Sequence, residues 1–332
     1  MYIPNASMTL NTCLRVCILS VLSRKKVFLL PVYRRKVNKK MRMLLAMSKA
    51  EIIALSEESF RVYKGCLPNK VHYVKAGVDT VQFTEIESKQ RKTLREKFGY
   101  SDTDTIVLHT GHMVEARNIR KLMDLDKSFR IILIISTSTR WDENLYNDLK
   151  QCPNIKIIHK YIPKIEEYFQ IADVYYFPVE EVGCVDVPLS VLEAAACGTP
   201  VVTTPYGELK AFKETKSFRF INDFAESNFL IESVKECREN NNRNQILEYD
   251  WNHVVERLPG KIAVFPRVYF SAFDLDNDHE IATTETCTIH HYTGSWNDAT
   301  LRKKKIKRSL VKLMGPKAYV ALKKFVKSFI IR

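Results

Sequence analysis

The stretch DVPLSVLEAAACGTPVVTTPYGELKAF, residues 186–212, joins a helix to a strand in a way that decides the fold. Leu189, Leu192 and Ala196 recur at helical spacing and predict a buried helix. The following PVVTT is a short, β-branched run typical of a buried strand. Glu193 interrupts the apolar part of the helix. Packing alone does not account for a carboxylate at this position. The stretch therefore predicts a helix–strand unit that holds a carboxylate for a ligand.

Short apolar strands and helices alternate on both sides of this unit, from about residue 70 to residue 258. This alternation is typical of a parallel sheet with helices on both faces. The predicted fold class is therefore α/β, with a Rossmann-type parallel sheet. Predicted strands cover 25–33, the start of 51–65, 70–83, 104–113, 129–137, 154–162, 173–179 and 200–204, and predicted helices cover the rest of 51–65 after a Ser56 N-cap, 91–100, 165–172 and 188–198.

The net charge of +14 is concentrated at the two ends of the chain. Residues 1–50 contain 11 lysines and arginines and no acidic residue, and residues 299–332 contain 12 and again no acidic residue. Basic ends indicate attraction to a polyanion, either an anionic membrane face or nucleic acid, although a merely solvated basic surface gives the same count. The tail 299–332 has apolar residues near helical spacing, which suits an amphipathic helix on a membrane or one packed on the protein. Nucleic-acid binding is not expected, since no recognised motif accompanies the charge.

The cysteines and the apolar runs indicate a cytoplasmic location, or a peripheral one at the inner face of the membrane. The eight cysteines are scattered and form no CxxC pair, which suits reduced thiols better than disulfides or zinc. No apolar run reaches the roughly 18 residues of a transmembrane helix. The run Leu14 to Leu22 is shorter, and we interpret it as interior structure or an interfacial helix.

The loop at residues 110–119 has residues suited to a phosphate ester. In α/β sheets, ligands bind at the carboxyl ends of the strands, and this loop follows a predicted strand. Gly111 permits close approach of the backbone, and His112 and Arg117 can reach the same cleft. Arg117 can clamp a diphosphate with two hydrogen bonds. Taken singly, Gly111 and Arg117 are equally compatible with an ordinary turn and a surface arginine.

Two further loops suit the same ligand. Helix amides near Leu189 face the cleft, and Gly207 offers a flexible backbone turn. Glu193 lies about one and a half turns inside its helix, from where it can accept the hydroxyls of a ribose. A single glutamate within a helix is usually solvated, so it is the joint order of the loops that favours a nucleotide site.

That order resembles the donor-binding half of family 4 (group 1) glycosyltransferases, which have the GT-B fold. There a strand precedes a Gly-Arg-x-x-x-x-Lys loop, and a Glu-x7-Glu pair precedes a Pro-Val-Val strand. GHMVEARN takes the place of the loop, with His112 for the arginine and Arg117 for the lysine. LEAAACGTPVVTT is similar to the segment around the second glutamate, which implies that Glu193 binds the ribose. ALSEESFRVYKG and VKAGVDTVQF resemble the segment that links the two domains, and the resemblance spans about residues 50–258.

The chain departs from this family at the first glutamate, in a longer loop before it, and in the length of the acceptor-side part. The first glutamate of the pair would fall at Val185, so Asp186 is the nearest carboxylate, ahead of Glu180 and Glu181. The predicted catalytic residues are Asp186, which would orient the sugar, and Arg117, which would neutralise the leaving diphosphate. Only about 75 residues precede the linker, less than half of what the family has. The expected domains are a truncated acceptor-side domain at 1–75, a donor domain at 76–258 and an appended segment at 259–332.

The appended segment resembles the end of family 32 glycosyltransferases, which have a GT-A fold. The resemblance rests on Val264 to Phe270 and on His290, His291 and the Gly-Ser-Trp that follows. In that family these residues close a metal site whose Asp-x-Asp motif lies much earlier. The one candidate here is Asp274-x-Asp276, which looks like a solvated loop. We expect an appended fragment and no metal.

The sequence thus predicts a glycosyltransferase that uses a UDP- or GDP-sugar, without a metal or other cofactor. The acceptor would be a glycan or a lipid-linked glycan, in the synthesis of a surface polysaccharide or glycoconjugate. The alternative is a nucleotide-sugar-binding remnant that no longer transfers, because its acceptor domain is incomplete.

Overall fold

The chain is described by a computed structural model. It covers residues 8–22, 26–136, 142–180, 184–221, 226–235, 237 and 243–256, with two short strands at 273–274 and 279–280. The residues from 8 to 256 belong to one compact unit, apart from three near residue 139, and the two short strands belong to a second. The seven cysteines of the described residues are free thiols.

The first sheet of the larger unit has three parallel strands in the order β1-β2-β3. Its elements, in chain order, are α1 (Leu10–Leu22), β1 (Phe28–Leu29), α2 (Lys39–Met47), β2 (Glu51–Ala54), α3 (Glu57–Cys66) and β3 (Val71–Tyr73).

The start of α3 agrees with the sequence prediction, whereas the outer strands are shorter than predicted. The Ser56 side chain accepts a hydrogen bond from the Ser59 amide (3.1 Å), which confirms the predicted N-cap. The predicted strand 25–33 reduces to β1, and Pro31, which has no N–H to donate, follows shortly after it. The predicted strand 70–83 reduces to β3, because its neighbour β2 ends at Ala54; of the later residues, Val78 forms an isolated parallel bridge with Asp250.

The second sheet is built from the strand–helix alternation that the sequence predicts. Its elements are α4 (Ser88–Phe98), β4 (Ile106–Gly111), β5 (Arg130–Ile135), α5 (Glu143–Lys150), β6 (Ile155–Ile158), α6 (Glu166–Ile171), β7 (Val174–Phe177), α7 (Leu189–Ala196), β8 (Val201–Thr203), β9 (Phe218–Phe220), α8 (Ser227–Lys235), α9 (Arg243–Leu247) and α10 (Trp251–Glu256). The six strands are all parallel and run in the order β6-β5-β4-β7-β8-β9. The predicted α/β class with a Rossmann-type sheet is confirmed.

Both faces of this sheet are buried, because its strands consist almost entirely of apolar residues. On β5, Ile132 and Ile134 pack into one core, while Ile131, Leu133 and Ile135 pack into the other. The strand order reverses between β4 and β7, since the chain builds outward from β4 to β6 and then returns to begin β7 beside β4. Such a switch point leaves a crevice at the carboxyl ends of the two strands.

The chain returns to the first sheet after β9. The amide of Val78 donates to the carbonyl of Tyr249 (2.8 Å), and the amide of Trp251 donates to the carbonyl of Val78 (3.2 Å). Val254 of α10 then packs with Phe28, among other residues of the first sheet. These contacts hold the two sheets on opposite sides of one cleft. The predicted boundary at residue 75 lies between β3 and β4.

The second unit is described only by an antiparallel pair, β10 (Phe273–Asp274) with β11 (His279–Glu280). The remainder of 259–332, including Asp276, His290, His291 and the basic tail, lies outside the described residues. Within the part of the chain that is described, no helix is both long and apolar enough to cross a membrane.

Candidate active site

A cavity of about 830 Å³ opens at the carboxyl ends of the six-stranded sheet. One side is formed by the ends of β4, β5 and β7 and by the start of α7. The other side is formed by the first sheet. Its lining there is largely apolar: Leu30, Val32, Ile53, Leu55 and Val74. The cavity thus lies at the switch point, where ligands of such sheets bind.

The loop after β4 brings Gly111, His112 and Arg117 to the cavity, as the sequence predicts. A Cβ on Gly111 would come within 3.1 Å of the buried Nε2 of His109, so a side chain here crowds a group that cannot move away. Burial and the nearby charge of Arg117 both lower the pKa of His112. His112 is therefore neutral at pH 7 and can contribute a hydrogen bond but no charge.

Arg117 is a nearly buried cation at the wall of the cavity. Its side chain is 8% exposed, and its Nη1 donates to the Sγ of Cys184 (2.8 Å). The hydroxyl of Tyr206 donates to the same sulfur (2.9 Å). No carboxylate lies within ion-pair distance of Arg117 in the described residues, which stop at Glu180 and resume at Cys184. A buried guanidinium without a counter-ion is costly, so this wall is suited to an anionic ligand.

The start of α7 presents free backbone amides to the same cavity. Leu189 and Ser190 line it, and the preceding Pro188 makes no side-chain cap. Neither of these two amides donates to another described group, whereas the next one, of Val191, donates to the carbonyl of Pro188 (3.1 Å). The positive end of the helix dipole adds to the attraction for an anion.

A hydroxyl network lies beneath this helix start, and sequence reasoning missed it. The Tyr175 hydroxyl donates to the Ser190 Oγ (2.8 Å) and lies 2.9 Å from the Thr110 Oγ1. It therefore links the loop after β4 to α7. The sequence does offer one signal for this network: Thr110 adjoins Gly111 and Ser190 adjoins Leu189, and both neighbours are predicted site residues.

Glu193 does not line the cavity but lies one turn further along α7 than Ser190. Its carboxylate forms no hydrogen bond or ion pair with any described residue, and burial raises its pKa to about 7. Burial raises the pKa of Tyr175, and the charge of Glu193 adds to this rise, so the carboxylate lies near the hydroxyl network. It is thus a mostly buried acceptor that lacks a protein partner within the described part of the chain.

Asp186 is occupied by contacts other than the predicted one. Its Oδ2 accepts a hydrogen bond from the hydroxyl of Ser56 (3.0 Å) and a second, short one from the hydroxyl of Ser59. The side chain is buried and does not line the cavity. Its carboxylate therefore ties the loop before α7 to the start of α3, and we leave it out of the proposed donor contacts.

Gly207 also lies outside the cavity lining. Its φ is 51°, in the left-handed region, and a Cβ there would overlap the carbonyl oxygen of Asp186. The position requires glycine because two backbone segments meet closely, so its conformation serves the packing of the loop.

Glu208, which sequence reasoning did not identify, connects three segments of the chain. Its buried carboxylate accepts hydrogen bonds from the hydroxyls of Tyr73 (2.8 Å) and Tyr249 (3.1 Å) and from the amide of Glu57 (3.2 Å). These partners belong to the first sheet, the returning chain and the start of α3. Glu208 therefore holds the walls of the cleft together.

Comparison with known proteins identifies the fold. Residues 106–236 match the sequence family described as glycosyl transferases group 1. Anabaena HepE (Alr3699), solved in complex with UDP-glucose, superposes with a TM-score of 0.58 at 14% identity, over 75% of this chain and 74% of that chain. The chain has the GT-B fold. The match to the group 1 glycosyltransferase family covers less than half of the chain.

Two further structures share this fold. WaaG, a glycosyltransferase involved in lipopolysaccharide biosynthesis, has a TM-score of 0.54 at 15% identity, over 72% of this chain and 78% of that chain. The UDP-forming α,α-trehalose-phosphate synthase of Burkholderia vietnamiensis has a TM-score of 0.55 at 10% identity, over 72% and 66%. A search of curated protein sequences finds no match. At these identities the structural likeness concerns the fold alone.

Proposed function

We propose that the chain transfers a sugar from a nucleotide-sugar donor bound in the cavity. The observation that carries this proposal is the buried guanidinium of Arg117, which faces the cavity without a carboxylate partner among the described residues. The open amides of Leu189 and Ser190 line the same cavity. Two independent positive groups around one cavity suit the diphosphate of such a donor.

The same groups explain how the sugar would leave. Negative charge grows on the diphosphate as the glycosidic bond breaks, and donors already in place stabilise it without reorganising. Arg117 supplies a full charge and two parallel N–H groups, the amides of α7 add partial charges, and neutral His112 adds a hydrogen bond. Since Arg117 and the amides of α7 would supply the positive charge that the leaving diphosphate requires, we propose that no metal or other cofactor is required.

We assign the ribose to Glu193. The support is its mostly buried carboxylate without a protein partner in the described residues, close to the hydroxyls of Tyr175 and Ser190. Two ribose hydroxyls would donate hydrogen bonds to its oxygens and favour the charged form. These contacts accept uracil and guanine alike, so the proposed donor is a UDP- or GDP-sugar.

The wall of the cavity formed by the first sheet favours a lipid-linked acceptor. Leu30, Val32, Ile53 and Leu55 offer aliphatic carbon, and the polar side chains beside them are those of Tyr33 and Lys75, whereas a free glycan would require more polar partners. We therefore place the chain in the synthesis of a surface polysaccharide or other glycoconjugate. The alternative, a nucleotide-sugar-binding remnant, shares the donor site but would transfer nothing.

The test is the release of nucleoside diphosphate by the purified full chain. UDP-glucose, UDP-N-acetylglucosamine and GDP-mannose are supplied with and without a bacterial lipid extract, in the presence of EDTA. We expect UDP or GDP to be released from one donor, more rapidly with the extract, and EDTA to have no effect. Donor binding by calorimetry without release would favour the remnant. Binding of no donor would refute the proposal.

A further inference from the structure

The first helix of the chain turns an apolar side outward. Its inner side, which includes Cys13 and Val16, packs on α2 and on the first sheet. The outer side is aliphatic, and Leu22 is 76% exposed. Two methionines of α2, Met43 and Met47, are exposed as well. Together these residues form what we term the α1–α2 surface: Leu10, Leu14, Ile18, Leu19, Val21, Leu22, Met43 and Met47.

The two helices present this surface together. The amide of Lys49, just after α2, donates to the hydroxyl of Ser20 near the end of α1 (3.0 Å), so the carboxyl ends of the two helices lie side by side. On α2, Lys39, Met43 and Met47 follow one another at a spacing of four residues and share one stripe of the helix. The apolar residues of the surface are therefore close to its cations.

Cations surround the surface, and no acid accompanies them. The first 50 residues contain no aspartate or glutamate. The exposed cations of this region that form no ion pair with a described residue are Arg15, Arg35, Lys36, Lys39, Lys40, Arg42 and Lys49. The surface therefore combines exposed aliphatic side chains with charge of a single sign.

We propose that the α1–α2 surface docks on an anionic lipid membrane. Aliphatic residues of an interfacial helix enter the boundary between headgroups and acyl chains, while lysines and arginines remain at the anionic headgroups. A second copy of the chain would bring like charges together. Nucleic acid would match the cations but leave the aliphatic side chains without a partner. A membrane with anionic lipid satisfies both features at once.

The α1–α2 surface lies on the opposite side of the first sheet from the cavity, because Ile52 packs toward α1 and α2 whereas Ile53 lines the cavity. The sheet that α1 and α2 cover is the one that supplies the apolar wall of the cavity. The surface is distinct from the basic tail 299–332, which lies outside the described residues. Docking involves no donor and is measured without one, so its failure is distinguishable from a failure of the proposed function.

The test is sedimentation of the full chain with vesicles. One set contains phosphatidylcholine alone, and the other contains equal parts of phosphatidylcholine and phosphatidylglycerol. We expect binding to the second set only. The double variant Ile18→Ser/Leu22→Ser should bind at least about tenfold more weakly, because two aliphatic side chains no longer leave water. The triple variant Lys39→Gln/Lys40→Gln/Arg42→Gln should lose about fivefold for each cation removed, and added salt should weaken the wild type.

Matched controls replace equally exposed residues elsewhere. Phe229→Ser on α8, where the side chain is 73% exposed, and Lys89→Gln/Lys92→Gln on α4 should bind as the wild type does. Circular dichroism checks that each variant is folded. Unchanged binding of both surface variants, equal binding to neutral vesicles, or no binding by the wild type would overturn the proposal. So would a concentration-dependent dimer that Ile18→Ser/Leu22→Ser dissolves, since a second copy would then occupy the surface.

Discussion

Replacing Arg117 with alanine is expected to weaken the binding of UDP or GDP by roughly 10- to 150-fold, about 1.5–3 kcal/mol. The reason is that its guanidinium is nearly buried, faces the cavity and has only the sulfur of Cys184 as a described partner. A diphosphate therefore gains a charge-assisted contact with a nearly buried group, whereas Lys160, which also lines the cavity, is exposed to solvent. Isothermal calorimetry with UDP and with GDP measures the loss. Arg117→Lys should recover part of it, because it restores the charge without the planar fork.

Arg120→Ala is the matched control for this variant. Arg120 lies three residues further along the chain, has a side chain that is 40% exposed, and pairs with Glu115 (2.7 Å) and Asp148 (2.6 Å). The Arg120→Ala variant should bind UDP and GDP as tightly as the wild type does. If Arg117→Ala binds either nucleotide as tightly as the wild type, the assignment of the diphosphate to Arg117 is wrong.

Replacing Glu193 with glutamine is expected to remove a pH dependence of stability. Burial raises the pKa of Glu193 from its ordinary 4.5 to about 7 in the folded chain, so the folded state holds a proton that the unfolded state has lost between these values. The free energy of unfolding of the wild type should therefore fall as the pH rises through this window and level off above it. Relative to Glu193→Gln the change should amount to about 3 kcal/mol, at about 1.4 kcal/mol per pKa unit.

Urea unfolding at several pH values measures this difference. Glu96→Gln, at an exposed position of α4, is the control and should follow the wild type at each pH. The same variants test the ribose contact, since UDP should bind the wild type more tightly as Glu193 ionises, and Glu193→Gln should lack this gain. A wild type whose stability is parallel to that of Glu193→Gln across the window would contradict the burial of a protonated carboxyl.

The central sheet was predictable because its signals are local. The apolar, β-branched run at 129–137 is recognised as a strand, and 188–198 as a helix, from the spacing of neighbouring residues alone. The loop after β4 is then located by the strand before it. Arg117 and Leu189 reach the cavity for the same reason, since loops at the carboxyl ends of parallel strands meet at one edge.

The contacts of Asp186 and Glu208 join distant parts of the chain, which the sequence does not reveal. Asp186 accepts hydrogen bonds from Ser56 and Ser59, which are 130 and 127 residues away in sequence. No pattern in the residues around Asp186 predicts these partners. Glu208 likewise finds its partners in Tyr73 and Tyr249. A carboxylate beside a ligand loop looks the same in sequence whether it contacts a sugar or another loop. The predicted family 4 membership, the family 32 segment and the incomplete acceptor domain stay predictions.

The measurement that tests the central claim most directly is a crystal structure of the full chain with UDP or GDP bound. The account predicts that oxygens of the diphosphate lie within hydrogen-bond distance of the Arg117 guanidinium and of the Leu189 or Ser190 amide, with the ribose hydroxyls toward Glu193. A nucleotide bound elsewhere on the chain, or one whose diphosphate faces solvent while Arg117 keeps its contact with Cys184 alone, would contradict it.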